Sequence, residues 1–360
     1  MIKITENRKP KIEINKFHYI IHSVHYLLFL TAYCLLVFFL YSCTSHKEKI
    51  YRKSKIVMDT FVSITAVSDS KAEAEKAIDA AFYEIERLEK LTNFFSENSE
   101  LNQINRNAGI SEVKISTDIL NILDKALFVS KNTDAEFDVT IGPVSALYDF
   151  YKNIKPEEIE IKEKLPLVNY KDLIINKKKS TAFLRKKGML IDLGGIAKGY
   201  AADKAEETLE KNGIRSGLVS IAGDIKAFGL KPDKRPWQIG IRNPRAEGKE
   251  DDVMTIVELS DMAISTSGDY QRFFIFNGKR YHHLLSPKTG YPAGRCQGVS
   301  VIAKEGVSAD AFATGVFILG HEKGMKVLEK MGFEGLIVDN QGKVYTTQGI
   351  RGKVEFKQRS

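Results

Sequence analysis

Two kinds of hydrophobic pattern divide the chain. From Phe17 to Ser45 there is no Asp, Glu, Lys or Arg, and the most apolar part of that run is Tyr26 to Tyr41. Beyond it the apolar positions become periodic. Val57 to Thr65 alternates in the manner of a half-buried strand. Ala74, Ala77, Ile78, Ala81, Ile85, Leu88 and Leu91 recur at helical spacing, which predicts an amphipathic helix over Ser70 to Leu91. A second helix is expected from Thr117 to Lys131, capped by Ser116 or Thr117. Thr92 to Ser99 reads as a turn carrying Phe94 and Phe95, and Glu136 to Pro143 as a loop with an apolar plug. Lys152 to Lys179 is the most polar stretch and reads as surface excursions and edge strands.

The second half predicts a helix over Ala201 to Lys211 and a buried strand from Gly217 to Asp224 that ends in a glycine turn. Short strands follow at Trp237–Arg242, Val253–Leu259, Phe273–Phe276 and Tyr281–Leu285, separated by Asn-Pro, Ser-Asp, Asn-Gly and Ser-Pro turns. A strand at Val299–Ala303, helices over Ser308–Leu319 and Gly324–Met331, and a hairpin across Asp339–Gly342 complete the pattern. The fold class is α+β, with mixed or antiparallel sheets flanked by helices.

Composition changes this picture little. In 360 residues, 43% hydrophobic and 28% charged content is ordinary for a globular chain of one large domain or two intimate ones. The formal charge is +8, of which residues 1–42 hold +3 through five Lys/Arg and two Glu, leaving +5 for the rest. Those basic residues are scattered among acids, the pattern of solvated surface, so no nucleic-acid partner is expected. The three cysteines, Cys34, Cys43 and Cys296, are too few and too far apart for a thiolate zinc site, and no internal disulfide framework forms if Cys43 is otherwise engaged.

The apolar run near the N-terminus does change the picture. Lys3, Arg8, Lys9, Lys11 and Lys16 precede it as a charged leader region, and it ends in Leu40-Tyr41-Ser42-Cys43. That ending resembles the lipobox of bacterial lipoproteins, in which cleavage leaves the cysteine, here Cys43, as a lipid-bearing N-terminus; Tyr41 departs from the usual small residue. An uncleaved signal anchor is the alternative, and the length permits it. Both readings tether the remainder to a membrane outside the cytoplasm, on the periplasmic side. The expected organisation is a signal peptide over 1–42 ending at Cys43, a polar tether over 43–55 and a single domain over 56–360.

The candidate chemistry centres on Ile191 to Asp203. Its apolar lead-in, paired Gly194-Gly195 and following helical pattern describe a segment turning tightly into a helix start, whose free N–H groups suit phosphate. Asp192 before the turn and Lys198 after it add a hydrogen-bonding group and a charge. Asp310 and Thr314 stand four apart, so carboxylate and hydroxyl project from one helix face. Two hard oxygens beside a phosphate loop suit Mg²⁺; the alternative is that Asp310 only caps its helix. His282 and His283 alternate along a strand, so one faces the core or site and the other faces away. Such a histidine could take a proton from an attacking hydroxyl, or be a hydrogen-bonded structural residue. Gly194 to Gly199 matches neither the dinucleotide fingerprint nor a Walker loop, and no nucleophile elbow surrounds Ser265 or Ser267.

The sequence from about Met58 to the C-terminus resembles the ApbE family of FAD:protein FMN transferases. The resemblance is carried by Met58-Asp59-Thr60-Phe61, Phe137 to Pro143, Asp192 to Ala201, Ser265 to Tyr270, and Ala309-Asp310-Ala311 through Thr314, in the family's order. It implies an ApbE-like, T-fold-like architecture. It implies FAD contacts from Met58, Phe95, Glu136, Phe137, Asp138, Asp192, Lys198 and Leu285, and Mg²⁺ on the Gly195 carbonyl with Asp310 and Thr314. The implied reaction moves FMN from FAD to a Thr or Ser hydroxyl of an acceptor protein and releases AMP, with His283 the candidate for assisting deprotonation and Asp310 for holding the metal. The implied acceptors are subunits of Rnf or sodium-pumping NADH:quinone oxidoreductase type. Two further readings are a Mg²⁺-dependent FAD pyrophosphatase giving FMN and AMP, and a non-catalytic FAD-binding lipoprotein. Ala313 stands where some members have a second metal-binding aspartate, Ser286 where the family usually has Asp, and Ser220 and Ala222 where it usually has Asn and Gly.

Overall fold

The computed structural model describes residues 19, 22–32, 47–246 and 252–350. The chain divides into two units, Met1–Lys47 and Glu48–Ser360. In the first, residues 22–32 are helical and exposed; Cys34, Cys43 and the lipobox lie outside the described residues. Among the described residues, no helix is long and apolar enough to cross a membrane.

The second unit is built on a sheet of eight strands whose order in space follows the chain: β1 Lys49–Val57, β2 Thr60–Ser68, β3 Gly217–Ile221, β4 Asp224–Phe228, β5 Met262–Gly268, β6 Cys296–Ala303, β7 Glu334–Asp339 and β8 Val344–Thr346. Every neighbouring pair is antiparallel. The expected single strand from Val57 is in fact a hairpin: β1 and β2 meet at Met58-Asp59, where φ is 56° and 54°. Two positive φ values in a two-residue loop match the right-handed twist of the flanking strands.

The expected tether over 43–55 is also corrected, because residues from Lys49 onward form β1. Polar side chains on both faces of β1 make it read as a spacer. Its helix-facing lysines have partners that only the fold supplies: Lys53 meets Asp79 at 2.9 Å and Lys55 meets Glu86 at 3.3 Å.

Of the helices α1 Lys71–Thr92, α2 Thr117–Asn132, α3 Ala197–Lys211, α4 Gly306–Leu319 and α5 His321–Met331, all but α2 pack on one face of the sheet, and α2 lies on α4, with Phe128 edge-on to Phe312. Ser70 and Ser116 cap α1 and α2, accepting from Glu73 N and Ile119 N. The alternation along β2 explains the layers. Val62, Ile64 and Ala66 enter the large core beneath the helices, whereas Val67 enters a second core with Trp237, Ile239, Ile241, Val257 and Leu259. Those five come from the hairpin Trp237–Arg242 with Val253–Leu259, which covers the other face. Every residue of α4 except Thr314 is buried, so α4 is the central helix and Thr314 marks its one opening.

Candidate active site

The segment Ile191 to Gly199 is fixed before it becomes helical. Buried Asn105 accepts from Ile191 N at 2.7 Å and donates to Ile191 O at 3.1 Å. Asp192 accepts from Gly194 N at 2.9 Å and from Ser145 Oγ at 2.8 Å, so its carboxylate shapes the turn. The amides of Gly194, Ile196, Ala197, Gly199 and Tyr200 all have partners within the protein. This narrows the expectation of a helix start whose free amides cradle phosphate, because the fold has already used five of the amides between Gly194 and Tyr200.

The partner of Gly199 N is Asp310 Oδ2, at 2.9 Å, from the second turn of α4. In return Asp203, on α3, accepts from Gly306 N at 2.6 Å and Val307 N at 2.9 Å, at the start of α4. Each helix therefore caps the other. Asp310 is a cap, but of the neighbouring helix rather than its own, which the sequence pattern did not indicate. The exchange requires close approach: a Cβ on Gly199 would lie 2.2 Å from Gly306 O.

The crossing gathers charge. Lys198 Nζ is 2.7 Å from Asp224 Oδ2 and 3.5 Å from Asp310 Oδ2. Asp224 also accepts a short hydrogen bond from Ser265 Oγ. Burial pulls the Lys198 pKa down, but the two carboxylates outweigh it and hold the ammonium above lysine's ordinary range. Burial, then the Asp224 charge, raise Asp310 above the usual carboxylate range, against Lys198 and the Gly199 amide. Asp224 and Asp203 were not among the expected site residues. No local motif marks them, since Asp224 meets Lys198 only where α3 packs against β4.

Gly195 is brought to Thr314. A Cβ on Gly195 would sit 3.2 Å from Thr314 Oγ1 and 3.3 Å from the Phe137 ring. Thr314 Oγ1 also lies 3.3 Å from Ser267 Oγ. Among the described residues, no group of three or more His, Cys, Asp or Glu is placed to hold a metal. The donors here are instead one carboxylate, one hydroxyl and one backbone carbonyl. That set is chemically suited to a hard cation that keeps waters and phosphate oxygens in its remaining positions.

The other expected residues fall into three groups. Glu136 is buried and accepts from Lys288 Nζ at 3.0 Å and from Ser286 Oγ at 3.4 Å, next to buried Leu285. Phe137 is buried beside Gly195 and Gly315, while the Asp138 carboxylate accepts from Thr140 N, Thr140 Oγ1 and Tyr170 N. The side chain of Asp138 is thus committed to holding its own loop. Met58 and Phe95 are each placed by the end of α1: Met58 N donates to Glu89 Oε1 at 2.8 Å, and Phe95, just after the helix, is 84% exposed. An aromatic ring left that open is available for stacking.

The histidines part as alternation requires. His282 is buried, with Nε2 2.8 Å from Ala293 O and its ring edge-on to Phe317, and is structural. His283 points the other way. Burial first, then the charges of Arg272 and Lys198 with His282, push its pKa down to about 3, so the imidazole is neutral at physiological pH.

This arrangement can be set against known proteins. The FAD:protein FMN transferase of Haemophilus influenzae is 34% identical over 276 residues, covering 74% of this chain and 78% of that protein. That of Treponema pallidum is 30% identical over 322 residues, covering 84% and 88%. The crystal structure of the ApbE protein from Thermotoga maritima superposes with a TM-score of 0.79 at 32% identity, covering 85% of this chain and 99% of that one. Flavin transferase ApbE from Vibrio cholerae gives 0.77 at 27% identity, with the same coverage. The ApbE family model matches residues 58–337, and the chain belongs to that family.

Proposed function

We propose that this chain is an FAD:protein FMN transferase that moves FMN from FAD to a Thr or Ser hydroxyl of an acceptor protein and releases AMP. The observation that carries the reading is the juxtaposition of Gly195, Thr314, Asp310 and Lys198, four groups suited to a metal-bound pyrophosphate, drawn from two segments over a hundred residues apart. Mg²⁺ held by the Gly195 carbonyl, Asp310 and Thr314 would supply charge neutralisation at the anhydride. Lys198 adds a fixed positive charge there. Phe95 offers a face to the flavin ring, and Met58, Phe137, Leu285 and the Glu136 loop wall the flavin side. Asp192 and Asp138 act by holding their loops in shape. Neutral His283 would accept a hydrogen bond from the attacking hydroxyl and orient it; a pKa near 3 makes the ring a weak base, so the proton passes on to solvent.

On this reading, lipidation at Cys43 holds the enzyme on the extracytoplasmic face of a bacterial membrane. Its acceptor is then a flavin-carrying subunit exposed on that face, of the Rnf or sodium-pumping NADH:quinone oxidoreductase type. The test combines full-length protein in detergent with FAD, Mg²⁺ and an acceptor bearing a flavinylatable Thr. The expected products are AMP and a fluorescent acceptor band that survives denaturing electrophoresis. Free FMN with a competent but unlabelled acceptor would make the chain a pyrophosphatase, and absence of AMP would make it a binder.

A further inference from the structure

We propose that Lys198 is an exchangeable counter-ion for the divalent cation: it shares the charge of Asp310 until the cation arrives, and Asp224 then retains the ammonium. The inference rests on the reading of Asp310 as a cation ligand. It begins from an imbalance. One ammonium lies within reach of two carboxylates whose side chains are 6% and 3% exposed, so the trio carries one negative charge in excess. The ammonium is not centred: it sits 2.7 Å from Asp224 and 3.5 Å from Asp310.

The two carboxylates differ in how they are held. Asp224 is anchored through its second oxygen by Ser265 Oγ, on the neighbouring strand. Asp310 takes both Lys198 and the Gly199 amide on Oδ2, and neither contact uses Oδ1. Asp310 can therefore turn Oδ1 to a cation without losing its cap on α3, while Asp224 is built to keep the lysine. In a buried site, a unit charge at this separation is weakly screened, so net charge should set cation affinity. With every carboxylate ionised, the trio carries one negative charge in the native protein, two in Lys198→Met and none in Asp224→Asn.

The experiment titrates Mn²⁺ alone, without FAD, into the full-length protein in detergent and follows free Mn²⁺ by electron paramagnetic resonance. Lys198→Met should bind at least tenfold tighter than native and Asp224→Asn at least tenfold weaker. The double variant, with the native net charge restored, should fall within about threefold of native, as should Lys198→Arg. Equal or weaker binding by Lys198→Met, or native affinity in a folded Asp224→Asn, would overturn the proposal. If Asp224→Asn does not fold, as judged by circular dichroism, the lysine variants decide alone. Asp310→Ala separates the underlying reading: it should abolish the site, and a site that persists would remove Asp310 from the cation's ligands altogether.

Discussion

The sharpest test of the reciprocal capping is Gly199→Ala. An added Cβ would lie 2.2 Å from Gly306 O, 2.6 Å from Gly306 C and 2.7 Å from Asp310 Cβ, and two of these are backbone atoms that cannot rotate aside. The helices α3 and α4 must separate by roughly an ångström to reach ordinary contact. Overpacking of this kind costs about 1–3 kcal/mol. Separation also stretches the caps at Gly199, Gly306 and Val307, and losing a cap costs about 0.5–2 kcal/mol. Against this, Ala is favoured over Gly inside a helix by about 1 kcal/mol. The net expectation is a loss of about 2–3 kcal/mol. Urea denaturation of full-length protein in detergent, followed by tryptophan fluorescence, measures it. Gly294→Ala is the control, because nothing lies within 4 Å of its added Cβ, and it should stay within about 0.5 kcal/mol of native. A Gly199→Ala protein as stable as the control would refute the claim that these helices are held at backbone contact.

Three further outcomes are expected. Ala222 sits at φ 54°, so Ala222→Gly should raise stability by about 1 kcal/mol in the same urea assay. Phe95→Ala should raise KM for FAD several-fold in the AMP-release assay while leaving the denaturation midpoint unchanged, since the ring is 84% exposed and supports little packing. His283 has a folded pKa of about 3, below its unfolded value near 6.5, so the unfolded state binds the extra proton between those values. Stability should be fully present above pH 6.5 and fall as pH drops toward 3. His283→Gln should flatten that fall, and the native rate should show no acid limb near 6.5 from this residue.

Much of the fold was legible in the chain because it depends on local periodicity. The apolar spacing of α1, its Ser70 cap and the Ser116 cap of α2 needed no partner to be read. Element starts were less legible. α4 begins at Gly306 and α5 at His321, two and three residues before the expected starts, because their first turns are set by tertiary contacts or by glycine and carry no side-chain cap from a preceding residue. β1 resembled a spacer for the same reason: its lysines are balanced by acids on α1, which lie elsewhere in the chain.

The site divides along the same line. By itself the sequence determined the candidate groups: Asp192, Gly195 and Lys198 in one motif, and Asp310 with Thr314 in another, since helix geometry alone puts residues four apart on one face. Only the tertiary structure decided what those groups are free to do. It showed that the Gly194 and Gly199 amides are already used, that Asp310 caps α3 while Asp203 caps α4, and that His282 is core while His283 is neutral beside the charged cluster. It also added Asp224, which meets Lys198 where α3 packs on β4 and is anchored by Ser265 of the neighbouring strand. The physical reason is range: propensity, capping and periodicity act over a few residues, whereas charge balance and hydrogen-bond satisfaction depend on whichever segments the packed core brings into contact.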